Sequence, residues 1–264
     1  MTVAVERPTW KAVALPSEHG GWGLTLEPVL LGLLVAPSWA GLALGLAAFA
    51  AFLVRTPLKL AAVDIRRHRW LDRSRLALEI AAVEAVLLAG FALVAFVRAG
   101  ARPFVPFLIA VPLFAVELLY DVRSRSRRLI PELCGAAGIT VVAAAIVIAA
   151  GRSRRLAAAL ALVLVARAIG SIPFVRVQIQ RLRHGAAATT GADAAQAASL
   201  AVAAAAVFVD HRALLGVFGT VGLSMVQALG MRRPPVKAKS LGLRQMAFGF
   251  SLVVLTVLGV WMGT

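Results

Sequence analysis

Nine apolar runs divide the chain, at residues 20–36, 39–54, 76–97, 104–120, 129–150, 155–175, 191–209, 213–230 and 245–263. Crossing ~30 Å of hydrocarbon as a helix takes about 20 residues, and most of the runs approach or exceed that length. None alternates apolar and polar positions as the strands of a membrane barrel do. The pattern predicts an all-α, polytopic transmembrane helical bundle of about nine spans. The first two runs are short and share a tight turn at Pro37-Ser38. The seventh is rich in alanine between Ala192 and Ala206. Small residues let helix backbones approach closely in lipid, so this run is expected inside the bundle. No repeat or soluble domain interrupts the series. Residues 1–264 read as one membrane domain, with 1–15 a cytoplasmic arm and 16–264 the bundle.

Composition agrees. The chain is 61% hydrophobic and 15% charged, against about 45–50% and 25% for soluble domains. Its charge of +16 therefore reads as basic loops, not as a nucleic-acid surface. Of the 28 Lys and Arg residues, 21 fall in alternate connections and six in the others; Arg167 lies within a span. Basic loops stay in the cytoplasm, so the N-terminus is expected there and the C-terminus outside, in a multi-pass protein of the inner or plasma membrane. Trp39 and Trp261 fall at the outer boundary and Trp10, Trp22 and Trp70 near the inner one, as an aromatic belt would place them. No cleavable signal peptide is expected. The single Cys134 and the four unpaired histidines offer no Cys- or His-based metal site.

The informative residues are those that membrane insertion does not explain. A carboxylate within a span costs roughly 2.5–3.5 kcal/mol on insertion scales, so it needs a partner or a purpose. The stretch Pro16-Ser17-Glu18-His19-Gly20-Gly21-Trp22 runs into the first span and is followed by Glu27. Glu79 and Glu84 lie in the third. Glu117 and Asp121 are four apart, hence on one helix face, beside Tyr120 and just before Arg123, Arg125, Arg127 and Arg128. Glu132 opens the fifth span. Arg167 needs an acid, with Glu27, Glu84 and Glu117 the candidates. Gly170 and Pro173 after it suggest a kinked or broken helix. The first basic loop carries Arg55, Lys59 and Asp64. Structural ion pairing and ligand binding both remain open for these groups.

Several of these stretches resemble the bacterial YwiC-like family: Pro16–Trp22, the hairpin from Tyr120 through Arg127-Arg128 and Glu132 to Gly135, Ser171-Ile172-Pro173-Phe174-Val175-Arg176, and Lys239–Gln245. That resemblance covers nearly the whole chain and carries no established activity. More distantly the chain resembles the UbiA prenyltransferase superfamily of nine-helix intramembrane enzymes. The UbiA resemblance implies a cytoplasm-facing cavity and magnesium held by two Asp-rich motifs. At the first motif position stand Asp64 and Asp72; the second, residues 167–183, contains no acid. Magnesium takes oxygen ligands, mostly carboxylate and phosphate, so the cofactor stays open. Guanidinium groups bind phosphate bidentately.

The leading expectation is an Arg-rich cavity among the first six spans that binds or transfers a lipid or isoprenoid (di)phosphate. Glu18, His19 and Glu27 would act as acid/base groups. Arg55, Lys59, Asp64, Glu117, Tyr120, Asp121, Arg125, Glu132, Arg167, Ser171 and Arg176 would hold substrate. Glu18, His19 and Glu27 are expected to face Arg167 and the Arg123–Arg128 hairpin across one mouth. The alternatives are a small-solute or proton-coupled transporter and a non-catalytic scaffold. Expected partners are membrane lipids and no nucleic acid.

Overall fold

The computed structural model describes residues 10–16, 19–123 and 128–263, and no strand occurs among them. A short α1 (Trp10–Ala14) precedes α2 (His19–Val35), α3 (Trp39–Arg66), α4 (Asp72–Ala99), α5 (Phe107–Val122) and α6 (Leu129–Ala149). Then come α7 (Arg154–His184), α8 (Thr190–Val209), α9 (Leu214–Met231) and α10 (Ala238–Met262). Each apolar run has its helix. Eight are long and apolar enough to cross a membrane, counting α5 and α9 with the 3-10 turns before them, and α2 adds a shorter apolar stretch, Gly21–Val35. Ser38 and Ser153 start α3 and α7 by accepting the amide hydrogens of Gly41 at 3.0 Å and Leu156 at 3.2 Å, which satisfies one otherwise orphaned donor at each end.

Three helices outrun their apolar segments by the largest margins. α3 continues to Arg66, α7 to His184, and α10 begins at Ala238. Arg55, Lys59 and Asp64 therefore stand on a helix, and the first basic loop shrinks to residues 67–71. Charged residues at helical spacing lengthen a helix past the hydrocarbon because their heads reach water. Of the kinked or broken helix expected near Pro173, the break is absent: α7 is one element through Gly170 and Pro173. Neighbouring helices can hold a membrane helix together at such a position.

α6 and α7 form the centre. Val147 and Ala143 pack with Leu31 of α2, Leu160 of α7 and Val257 of α10, while Ile146 and Val142 pack with Leu44 of α3. α4 and α5 lie outermost, with Val86, Val97, Leu108 and Ile109 exposed.

One expectation about packing is corrected here. The Ala-rich α8 is not an interior helix. Its buried residues are Ala192, Gln196, Ser199, Ala203 and Ala206, a single stripe at spacings of four and three. Small side chains permit close approach along the stripe that meets α7, but nothing draws the other faces inward. Within the expected arm, α1 packs against the bundle: Val13 is buried with Ala61 of α3 and Ala77 of α4.

Cross-links gather the basic helix ends at one end of the bundle. Arg66 Nη1 donates to Val122 O at 2.6 Å, Arg176 pairs with Glu132 at 2.9 Å, and Arg181 donates to Met231 O. The exposed Trp39 and Trp261 stand at the opposite end of α3 and α10. Trp22, near the start of α2, packs on Phe49 and Phe52 of α3 with ring centroids 5.6 and 5.3 Å away.

Candidate functional site

The span residues that the sequence marks as surplus form separate polar constellations. In the first, Glu27 of α2 and Arg167 of α7 are both buried, with Oε1 2.7 Å from Nη2. Arg167 Nη2 also donates to Gln245 O of α10 at 2.8 Å. Gly249 of α10 makes room for the pair: a Cβ there would lie 1.9 Å from Glu27 Oε1. The pair is therefore closed inside the bundle and does not line a mouth.

The second constellation is a ladder between α3 and α5. Arg55 and Lys59, four apart, face Glu117 and Asp121, four apart. Arg55 Nη2 lies 2.8 Å from both carboxylates, and Lys59 Nζ is 3.2 Å from Asp121. Gly135 of α6 leaves the space that Glu117 occupies, since a Cβ there would lie 2.4 Å from Oε1. Asp121 is buried and Tyr120 half-buried beside it. Farther out, Asp64 is held bidentately by Arg73 at 2.9 and 2.7 Å and by the Ser74 hydroxyl at 2.9 Å.

A third constellation joins α7, α8, α9 and α10. Gln227 Nε2 donates to Ser171 Oγ at 2.9 Å and to Gln245 Oε1 at 3.2 Å. Its Oε1 accepts from Gln196 Nε2 at 2.8 Å, and Gln196 also donates to Gly170 O at 3.0 Å. Gln178 Nε2 donates to Gly230 O at 2.9 Å, a carbonyl in the last turn of α9 that also accepts from Arg233 N at 3.2 Å. Buried amides in hydrocarbon need such partners.

Beside this network, at the basic end, a cavity of about 420 Å³ lies between α7, α9 and α10. Phe174, Leu241 and Phe248 give it apolar walls, Gln178, Gln227 and Gln245 a polar side, and Arg233 and Arg244 a charged rim. It lies in the second half of the bundle, away from most of the six spans expected to line it. A more open depression at the α2–α3 turn is lined by Leu33, Pro37, Ser38, Trp39 and Leu42.

A family model described as YwiC-like protein matches residues 15–147, just over half of the chain. The chain belongs to the YwiC-like family. No curated protein and no solved structure matches it. The matched residues contain the Pro16–Trp22 motif, Glu27, the α3–α5 ladder and Gly135. Arg167, the Ser171–Arg176 and Lys239–Gln245 stretches, and every residue of the glutamine network and the cavity lie beyond it.

Of the sequence-derived site residues in this YwiC-like chain, Glu18, Arg125 and the side chain of His19 lie outside the described residues. Glu27 and Arg167 meet each other; Arg55, Lys59, Glu117 and Asp121 meet in the ladder. Arg176 meets Glu132, Asp64 meets Arg73, and Ser171 meets Gln227. None of the described sequence-derived site residues sits on the cavity wall. The acids do not fit a two-motif magnesium site: both oxygens of Asp64 are engaged by Arg73 and Ser74. Among the described residues, no three His, Cys, Asp or Glu side chains gather as metal ligands.

Sequence reasoning passed over Gln178, and it absorbed Arg233 and Arg244 into the loop charges. A signal existed. Ser171, Phe174 and Gln178 follow i, i+3, i+7 spacing, as do Leu241, Gln245 and Phe248 on α10 in i, i+4, i+7 form. A glutamine within an apolar stripe marks an inward polar position.

Proposed function

We propose that this membrane protein binds a lipid phosphate, an isoprenoid phosphate among the candidates, in the cavity between α7, α9 and α10. One observation carries the reading: an apolar cavity at the basic end has two arginines on its rim. Among the described residues, neither Arg233 nor Arg244 has an ion-pair or side-chain hydrogen-bond partner, whereas Arg55, Arg73, Arg167 and Arg176 are each paired with an acid. Two unpaired guanidinium groups suit a phosphate, which they bind through several N–H donors at once. The volume is within the roughly 300–1,000 Å³ of small-molecule sites.

The surroundings favour a lipid. Val226 and Leu229 line the cavity and are also exposed on α9. In a membrane span such residues face acyl chains, so a hydrocarbon tail has an apolar path into the cavity while its head group stays with the arginines. Binding requires no metal-ionised leaving group.

Native mass spectrometry of the purified protein tests the reading. A retained phosphate-bearing lipid, with affinity for prenyl phosphates or diphosphates, is expected; Arg233→Gln with Arg244→Gln should weaken it by about tenfold or more. No bound lipid and no affinity for these compounds, with or without magnesium, would sink it.

A proton-coupled carrier is the second reading, favoured by Glu84, whose Oε2 is buried without a hydrogen-bond partner. Substrate-dependent flux in proteoliposomes that Glu84→Gln or Glu27→Gln abolishes would favour it over binding alone.

A further inference from the structure

The distribution of acids narrows the ligand. α7, α9 and α10, the three helices around the cavity, contain no Asp or Glu, and neither does the connection 232–237 between α9 and α10. Among the described residues, no acid from another helix lines the cavity either, and Arg233 and Arg244 are its only charged members. Elsewhere the bundle supplies its own counter-charge: Glu27 meets Arg167, Glu132 meets Arg176, and Glu117 and Asp121 meet Arg55. On the cavity rim, two positive charges are left for a ligand to balance.

Both residues are exposed, so their donors are open to whatever enters. Their backbones are also well anchored. The Arg233 amide donates to Gly230 O at 3.2 Å, and Pro234-Pro235 follow it. Proline fixes its own φ and restricts the residue before it, which stiffens the connection at Arg233. Arg244 is three residues after Leu241 and four before Phe248, so it shares their face of α10, and both of those apolar residues line the cavity. One arginine thus stands on the α9–α10 connection and the other on α10, on the rim of the same cavity.

A guanidinium carries five N–H donors in a planar fork and no acceptor. Two of them call for several acceptor oxygens and for two negative charges. A phosphodiester brings one charge and two unesterified oxygens, so one guanidinium charge stays unmatched. A terminal phosphate brings three unesterified oxygens and about 1.5–2 negative charges near neutral pH. Building on the lipid-phosphate reading, the geometry points to a lipid whose phosphate is terminal, a phosphomonoester, as the ligand of this cavity. Arg233 and Arg244 share the three phosphate oxygens, and the hydrocarbon follows the apolar wall toward Val226 and Leu229. No bond is made or broken.

Dioleoyl phosphatidic acid and dioleoyl phosphatidylmethanol have the same chains and differ by one methyl group, which removes a charge and a free oxygen from the phosphate. The full-length protein in nonionic detergent is titrated with each at neutral pH, and retained lipid is read by native mass spectrometry. Phosphatidic acid should bind about tenfold more tightly, the effect of one lost charge-assisted hydrogen bond. In Arg233→Gln with Arg244→Gln the preference should fall to within about twofold. Arg232→Gln with Lys239→Gln removes the same charge from the same connection and helix, off the cavity wall, and should keep it. Equal affinity of the wild-type protein for the two lipids overturns the phosphomonoester assignment and leaves the lipid-phosphate reading standing. A preference that survives in the first pair, or falls equally in the second, assigns it to general basic charge and overturns the proposal. Inorganic phosphate, with the same oxygens and no chain, should displace phosphatidic acid only in large excess; displacement at matched concentration, or binding of neither lipid, overturns the lipid-phosphate reading as well. The wild-type comparison needs no variant, so a poorly folding double variant does not blunt the test.

Discussion

Glu27 on α2 and Arg167 on α7 stand 2.7 Å apart with both side chains buried. The contact is an ion pair without an aligned hydrogen bond, for Glu27 Oε1 has no hydrogen-bond partner, while Arg167 Nη2 donates to Gln245 O. It ties together α2, α7 and α10 at a depth where neither charge could stand alone. Desolvation makes such a pair a poor source of net stability but a costly one to halve.

Glu27→Gln should therefore destabilise the protein by about 3–5 kcal/mol, because Arg167 is left charged and buried. The double variant Glu27→Gln with Arg167→Met should recover most of that loss. Unfolding free energies of the four proteins in one detergent form the cycle. Additive losses would show that the two side chains are not coupled.

Gly249→Ala tests the space around the pair. Its methyl group would lie 1.9 Å from Glu27 Oε1 and 2.6 Å from Arg167 Nη2, and overpacking of that kind costs about 1–3 kcal/mol. Gly222→Ala is the control, since nothing lies within 4 Å of a Cβ there; helix propensity predicts no loss and a gain of up to about 1 kcal/mol. Equal thermal stability of the two variants would contradict the close approach.

Gln227 makes three side-chain hydrogen bonds to Gln196, Ser171 and Gln245. Interhelical hydrogen bonds in lipid average only about 0.6 kcal/mol each. Gln227→Leu should thus cost about 2 kcal/mol, less than halving the ion pair. A loss larger than that of Glu27→Gln in the same unfolding assay would reverse this ranking.

Asp210, between α8 and α9, accepts from Arg212 Nε at 2.9 Å and Nη2 at 2.7 Å and caps the turn through the Arg212 amide at 3.2 Å. The bidentate Arg212 hydrogen bonds hold its carboxyl below the usual carboxylate range, against the opposing effect of burial. A folded-state value below the unfolded one contributes stability above the unfolded pKa of about 3.9, and that stability is lost as pH falls through the folded value. Asp210→Asn should lower stability at pH 7 by about 1 kcal/mol, as for a weakened cap. The gap to wild type should close as pH drops below about 4. A gap independent of pH between 6 and 3 would show that ionisation of Asp210 is not involved.

Legibility differed from residue to residue. Arg167 within an apolar run announced that it needs an acid, and Glu27 was among three candidates. Choosing among them required geometry: Glu117 is taken by Arg55, and Glu84 has no ion-pair partner among the described residues. The four-residue spacing of Glu117 and Asp121 showed a shared face, but the matching spacing of Arg55 and Lys59 was hidden because that stretch read as a loop. Arg233 and Arg244 looked like ordinary loop charges. Their separate role on the cavity rim emerged only when the end of α9 and the start of α10 were placed against Gln178.

The sequence by itself determined the class of this protein, the nine apolar runs that each form a helix and the clustering of basic residues in alternate connections. Hydrocarbon imposes length and composition on each span separately, so every span can be read without its neighbours. Pairing is different. Which carboxylate meets which guanidinium, and where a cavity remains, depend on the rotation and depth of each helix. Those are set by how α6 and α7 pack against the helices around them, through contacts between residues far apart in the chain. Only the tertiary structure decided that Glu27 closes on Arg167 and that Arg233 and Arg244 are left beside an open cavity.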